Sequence, residues 1–213
     1  MGARKPQPIE NSTKIRKLVL SAALDVAADT PWEFVTMKQI ADSAGLTLHD
    51  LNSQFLTKSD ILRAIIDSLD RQVEKNIKDL QKDTDTPAPV RDRLFDVLME
   101  RIEIANQHRA AHISFFKSFG WTKESSCNDL SLLKSSMTRM AHCAGIRTDG
   151  LSGQLYLFGL SSTYLWVLLT WMTDTSPDLG RTMSKLDQTL GRGEFLADSI
   201  RQFLKTISPN ENI

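Results

Sequence analysis

The sequence predicts an all-α protein of about nine helices, and three observations carry that reading. Apolar residues recur every three or four positions along most of the 213 residues, glycine is scarce at ten, and no Asn-Gly or Asp-Gly turn separates two alternating runs. The first helix rests on Ile15, Leu18, Val19, Ala22, Ala23, Val26 and Ala27, which share a stripe while Lys14, Arg16, Lys17, Ser21 and Asp25 fall off it. Thr30-Pro31 ends it. Thr36 with Gln39 three residues on is a capping box that opens a second helix, and Gly45 closes that helix. Thr47 and Asp50 cap a short third helix at residues 47–54, with Leu46, Leu51 and Phe55 on its apolar side and Thr47, Leu48, His49, Asn52 and Ser53 pointing away. Two short helices joined through Ala44-Gly45-Leu46 make a helix-turn-helix.

A fourth helix is expected from Lys58 to Gln81, with Asp60 placed to suit the helix dipole. Residues 82–89, rich in Asp, Thr and Pro, read as a linker. Beyond it Leu94, Phe95, Leu98, Ile102 and Ala105 mark one helix, and Leu132, Leu133, Met137, Met140 and Ala141 another. In the next, Leu155, Phe158, Ser162, Leu165, Leu169 and Met172 alternate three and four apart, while Tyr156, Leu160, Tyr164, Trp166, Val167 and Trp171 cover the other faces. Such a helix must be buried on more than one side. The last helix keeps a near-heptad stripe through Leu179, Met183, Leu186, Leu190, Ala197, Ile200, Leu204 and Ile207, interrupted at Gly191 and Gly193. A paired seam of this length exceeds what one small body needs. Homodimerisation through a four-helix bundle uses it, with Leu155, Phe158, Leu165, Leu169, Met183, Leu186, Leu190, Ile200 and Leu204 as the interface. The chain divides into a head (1–57), a connecting helix (58–81) and a helical body (82–213).

Composition narrows the function. With 41% hydrophobic residues the chain can bury a real core, and 26 Lys and Arg balance 26 Asp and Glu, so any nucleic-acid surface must be local. Residues 1–80 are neutral as well, but residues 1–17 hold five basic side chains (Arg4, Lys5, Lys14, Arg16, Lys17) against one acidic. Two cysteines, Cys127 and Cys143, fit a reducing compartment, and the polar amino terminus gives no secretion signal; a cytoplasmic location is expected.

The register of the Ala22-Ala23 pair, Thr36, Ile40-Ala41, Ala44-Gly45-Leu46, Leu51, Phe55 and Lys58 followed by Ile61-Leu62 resembles the TetR family of bacterial repressors. Members carry an amino-terminal helix-turn-helix and a helical body that dimerises and binds a small effector. The resemblance implies that Thr36 touches a phosphate, that the helix at 47–54 enters the major groove of operator DNA, and that Lys58 contacts the backbone. Thr36, Lys38, Thr47, Leu48, His49, Asn52, Ser53, Gln54 and Lys58 are then the DNA-binding candidates. The chain departs from the family where lysine, glycine, tyrosine and histidine are usual at Leu48, His49, Asn52 and Gln54. Those departures remove several customary contacts, so phosphate affinity depends on the basic arm.

In the body, Phe115, Phe116, Phe119 and Trp121 cluster around Gly120, and with Met137, Met140, Tyr156, Tyr164 and Trp166 they could line a pocket for a small apolar effector or lipid. The same residues also read as plain core. The run from Trp171 to Asp178, with Thr182, Leu186-Asp187 and Leu190, is similar to the carboxy-terminal signature of the lipid-binding accessory proteins of ubiquinone biosynthesis. Those proteins share the TetR fold and do not act as repressors. Residues 151–173 carry no charge, but their serines, threonines and heptad seam speak for a dimer helix rather than a membrane span. His108 and His112 stand four apart with Glu100 two turns back, a spacing that can hold a divalent ion; without a third close ligand no metal is expected. Cys143 beside His142 is no nucleophile-base pair, since helical neighbours point about 100° apart. No glycine loop follows a strand, so neither an enzyme nor a cofactor is expected. The reading is a dimeric, ligand-responsive TetR-type transcriptional regulator, in all expectation a repressor. The alternatives are a lipid- or isoprenoid-binding accessory protein whose head does not bind DNA, and a helical dimer serving as a protein-binding platform.

Overall fold

A computed structural model describes residues 8–82, 88–118 and 123–192, without the side chains of 8–11, 81 and 123–129. Arg4, Lys5, Phe119, Gly120, Trp121, Gly193, Ala197, Ile200, Leu204 and Ile207 lie outside the described residues, as does the side chain of Cys127. Among the described residues there are nine helices and no strand. They are α1 (Pro8–Asp29), α2 (Met37–Ser43), α3 (Leu48–Asn52), α4 (Lys58–Gln81), α5 (Val90–Asn106), α6 (Arg109–Lys117), α7 (Lys123–Cys143), α8 (Gly150–Trp171) and α9, residues 180–192. None is long and apolar enough to cross a membrane. The residues form two compact units, one from those up to Val73 together with Arg101–Ser136, the other from Glu74–Glu100 together with those from Met137 onward.

The first unit is built on α1. Val19, Ala22, Ala23 and Ala27 are buried, and small side chains there let α1 lie against α2, α3 and α6. Leu18, expected on this stripe, is 41% exposed, so the buried face is narrower than the periodicity suggests. Trp32, Val35, Ile40, Ala41, Leu51, Phe55, Ile61, Ala64 and Ile65 complete the core, joined by Ala111 and Phe115 from α6. Full burial of a side chain such as Ile40 or Leu51 contributes about 2 kcal/mol. Trp32 is the joint: its ring meets Phe115 edge-on at 4.9 Å, and its backbone N–H donates to Ser114 Oγ at 2.8 Å.

Residues 107 and 108 form a turn between α5 and α6, so the helix that would align Glu100 with His108 and His112 is broken. Glu100 accepts from Asn76 at 2.6 Å, and no cluster of three or more possible metal ligands exists among the described residues. His112 instead lies half-buried, edge-on to Phe115 at 5.6 Å. Burial, then the positive Arg101 and His108, push its pKa down to about 3. Arg101 itself is buried and paired with buried Asp70, Nε to Oδ1, at 3.0 Å. The folded protein therefore keeps His112 neutral where the unfolded chain protonates it. His112 contributes stability in full above about pH 6.5, and that contribution falls with pH between there and about 3, at up to ~1.4 kcal/mol per pH unit. Urea midpoints measured across this window should fall less steeply for His112→Gln than for the parent.

In the second unit α8 buries Leu157, Leu160, Tyr164, Val167, Leu168 and Trp171 along one face, and α5 and α7 bury Leu94, Val97, Leu98, Met137, Met140 and Ala141. The α7 helix ends in a Schellman motif: Gly145, at φ +75°, donates to His142 O and Ile146 to Ala141 O, both at 2.9 Å. Arg93 Nε takes the adjoining Ala144 carbonyl at 2.9 Å, and Arg139 reaches Glu74 at 2.8 Å.

The corner between α8 and α9 is set by a carboxylate. Asp174 is buried; its Oδ1 accepts from the N–H and hydroxyl of Ser176 at 3.0 and 2.5 Å, and its Oδ2 from the N–H and hydroxyl of Thr182 at 2.8 and 2.7 Å. Leu179, directly before α9, has no side-chain acceptor and sits at φ +54°. Asp174 therefore caps α9 from a distance, while Asp178 Oδ1 accepts from the N–H of Gly180 at 3.2 Å. The capping gives Asp174, Ser176 and Asp178 of the run from Trp171 to Asp178, with Thr182, a structural role.

Candidate nucleic-acid interface

Three capping boxes follow one another through the head. Gln39 N–H donates to Thr36 Oγ1 at 3.2 Å, and Gln39 Oε1 accepts from the Thr36 N–H at 2.8 Å. Asp50 N–H donates to Thr47 Oγ1 at 3.1 Å, and Asp50 Oδ2 accepts from the Thr47 N–H at 3.3 Å and its hydroxyl at 2.6 Å. Thr57 and Asp60 repeat the exchange at the start of α4, a box written in the sequence as plainly as the other two. Each is worth about 1 kcal/mol. Between the first two, Gly45 at φ +65° donates to Asp42 O and Leu46 donates to Ala41 O, a Schellman turn that needs a residue free to be left-handed. The caps fix where α2 stops and α3 starts, and with that the direction α3 faces.

Leu51 is buried beneath α3, while Thr47, Leu48, His49, Asn52 and Ser53 are exposed, as are Thr36 and Lys38. Gln54 is half-buried and held: the Ser12 hydroxyl donates to its Oε1 at 2.8 Å, and its Nε2 donates to Ser53 Oγ at 3.3 Å. Lys58 differs most from what the resemblance implies. Its Nζ donates to the carbonyls of Trp32 at 2.8 Å and Glu33 at 3.1 Å, and lies 5.4 Å from the centre of the Trp32 ring. Burial lowers its pKa although Glu33 raises it. These bonds tie α4 to the loop before α2, so Lys58→Met should cost about 1–2 kcal/mol of stability in denaturant titrations. The salt dependence of DNA binding should not change, whereas loss of a phosphate contact would shift the slope by about 0.9.

Charge near α3 is sparse. Residues 31–60 hold Lys38 and Lys58 against Glu33, Asp42, Asp50 and Asp60. The hydrogen bonds from Thr47 lower the pKa of Asp50 and keep it ionised. Exposed Lys14 and Lys17 on α1 and Lys38 on α2 supply local positive charge, and Arg16 stands over the Phe55 ring at 4.7 Å.

Of the residues expected to line a pocket, Phe115 and Phe116 belong to the first unit, and Met137, Met140, Tyr156, Tyr164 and Trp166 to the second. Phe115 belongs to the head core against Trp32, because the turn at 107–108 redirects α6. Phe116 is half-buried, and Met137, Met140 and Tyr164 are buried. Tyr156 and Trp166 are exposed on α8, the latter 5.0 Å beneath Lys185 Nζ. Of the interface candidates, Leu155, Phe158, Leu169 and Met183 are exposed, Leu165 and Leu190 are half-buried, and Leu186 lies fully inside the protomer. With Leu151, Ser162 and Trp166, the residues Leu155, Phe158 and Leu169 make one exposed stripe opposite the buried face of α8. Sequence periodicity missed Trp32, the Asp70–Arg101 pair and the inward turn of Lys58. The polar run Asn106-Gln107-His108 is the signal for the break before α6.

No protein-family model matches the sequence, and no curated protein matches it. Solved structures do. A TetR transcriptional regulator from Nitrosomonas europaea superposes with a TM-score of 0.67 at 18% identity, covering 84% of this chain and 98% of that one. A TetR transcriptional regulator from Rhodococcus sp. RHA1 gives 0.59 at 17% identity over 84% and 95%. The transcriptional regulator FadR from Bacillus subtilis, in complex with stearoyl-CoA, gives 0.56 at 19% identity over 82% and 96%. The chain has the fold of the TetR-type transcriptional regulators.

Proposed function

We propose that the protein is a dimeric, ligand-responsive DNA-binding regulator of TetR type, acting inside the cell as a repressor. The observation that carries this reading is α3: a helix opened by its own capping box after a capped α2, with Leu51 beneath it and a polar flank turned to solvent. A helix so presented fits a major groove about 12 Å wide. The exposed stripe of α8 supports the dimer, which would place two heads on half-sites about 34 Å apart. An effector acts by binding the DNA-competent and DNA-incompetent arrangements with different affinity. FadR holds stearoyl-CoA in its complex, so long-chain acyl compounds are the first effectors to test. The competing lipid-binding reading drew on the neutral head, the altered recognition helix and the run from Trp171 to Asp178; the cap gives Asp174, Ser176 and Thr182 a structural role and leaves the other two grounds to the binding test below.

Fluorescence anisotropy with the duplex upstream of the protein's own coding sequence tests the proposal. Lys14, Lys17 and Lys38, exposed on each head, predict by themselves a slope of log K against log salt at least as steep as about −5 for a dimer, and the other basic residues of the arm can only steepen it. Absence of any salt-dependent binding at micromolar protein overturns it.

A further inference from the structure

We propose that the base pairs read by α3 are A·T, with Asn52 bidentate on an adenine and Leu48 against a thymine methyl; the inference rests on the operator-binding reading above. The outward side chains around this helix are Thr47, Leu48, His49, Asn52 and Ser53, and none is Arg or Lys, the groups that fork onto guanine O6 and N7. Lys38 stands on α2, and the Lys58 ammonium already serves two carbonyls. The Asp50 carboxylate, an acceptor suited to cytosine N4, is turned back onto Thr47. His49 can donate to N7 of either purine and so does not discriminate between them.

Two groups with base preference remain. The Asn52 carboxamide presents an acceptor and a donor side by side, the complement of adenine N6 and N7. Its neighbouring amide, Gln54, is engaged by Ser12, which leaves Asn52 as the exposed amide of this segment. Leu48 is 44% exposed at the first position of a helix that otherwise turns polar groups to solvent, and contact with a thymine methyl takes it out of water. The two are four residues apart and share a face, about 6 Å between Cβ atoms, a span that reaches neighbouring base pairs.

Selection of duplexes from a random library by the full chain at low salt, followed by affinity measurements on the winning sequence, tests this. Half-sites with A·T pairs at the α3 steps are expected. Asn52→Ala should lose about tenfold or more of the preference for that sequence over one carrying a single A·T to G·C change, with its melting temperature unchanged. Replacing the contacted thymine by uracil removes only the methyl; it should weaken the parent protein and leave Leu48→Ala indifferent. Selection of G·C pairs, or indifference of the parent to both changes, overturns the inference and leaves the operator reading standing. Failure to bind any duplex overturns the operator reading and the inference with it.

Discussion

Replacing Phe158 with aspartate is expected to leave the protomer folded and to abolish its self-association. Phe158 is 75% exposed and Leu155 65% exposed, on the face of α8 opposite its buried side. A helix with two apolar faces, one of them in water, has covered only half of what its sequence prepares. In a two-fold interface each substitution counts twice: an apolar anchor is lost from both copies, and two carboxylates are forced into a dry contact. A loss of about 4 kcal/mol or more raises the dimer dissociation constant about a thousandfold. Affinity for a two-half-site operator should fall by about a hundredfold, because the second head no longer arrives tethered to the first. Sedimentation velocity and anisotropy on one- and two-half-site duplexes measure both effects. A variant that still sediments as a dimer would place the interface elsewhere.

Replacing Asp174 with alanine is expected to cost about 3 kcal/mol, through the donors of Ser176 and Thr182 left without their acceptor in a buried place. For a chain of this size that corresponds to a fall in melting temperature of about 6–12 °C, checked by calorimetry. Burial alone would raise the pKa of Asp174, but the hydrogen bonds from Ser176 and Thr182 outweigh it and hold the carboxyl below the usual range. With the folded pKa below the unfolded one, this contribution is complete above the ordinary aspartate pKa of about 3.9 and is lost as pH falls further. The onset separates Asp174 from His112, whose effect begins near pH 6.5. Unchanged stability in Asp174→Ala would mean that the cap is dispensable.

The head was legible in the sequence wherever local chemistry decides. Thr36 with Gln39, Thr47 with Asp50, and the glycine at 45 need only their own neighbours to act, and α4 runs over the residues its spacing marks. Side chains whose partners lie far along the chain were not legible. Lys58 is drawn to carbonyls more than 20 residues earlier, and Phe115 reaches Trp32 across more than 80. Leu186 shows the same limit: a heptad position does not say whether it faces its own body or a partner. Asp174 is legible as part of a run similar to a known signature, but its task as a distant cap appears only when Thr182 folds back over it.

Trp32 gives the head a mechanical property. Its ring rests on Phe115, its amide is bonded to Ser114, and its carbonyl holds the ammonium that anchors α4. The exposed flank of α3 therefore cannot be cut free as an independent module, because a fragment ending at residue 57 would strip the tryptophan of its support. By the same linkage, a tilt of α6 would lever the loop ahead of α2, and the exposed flank of α3 with it.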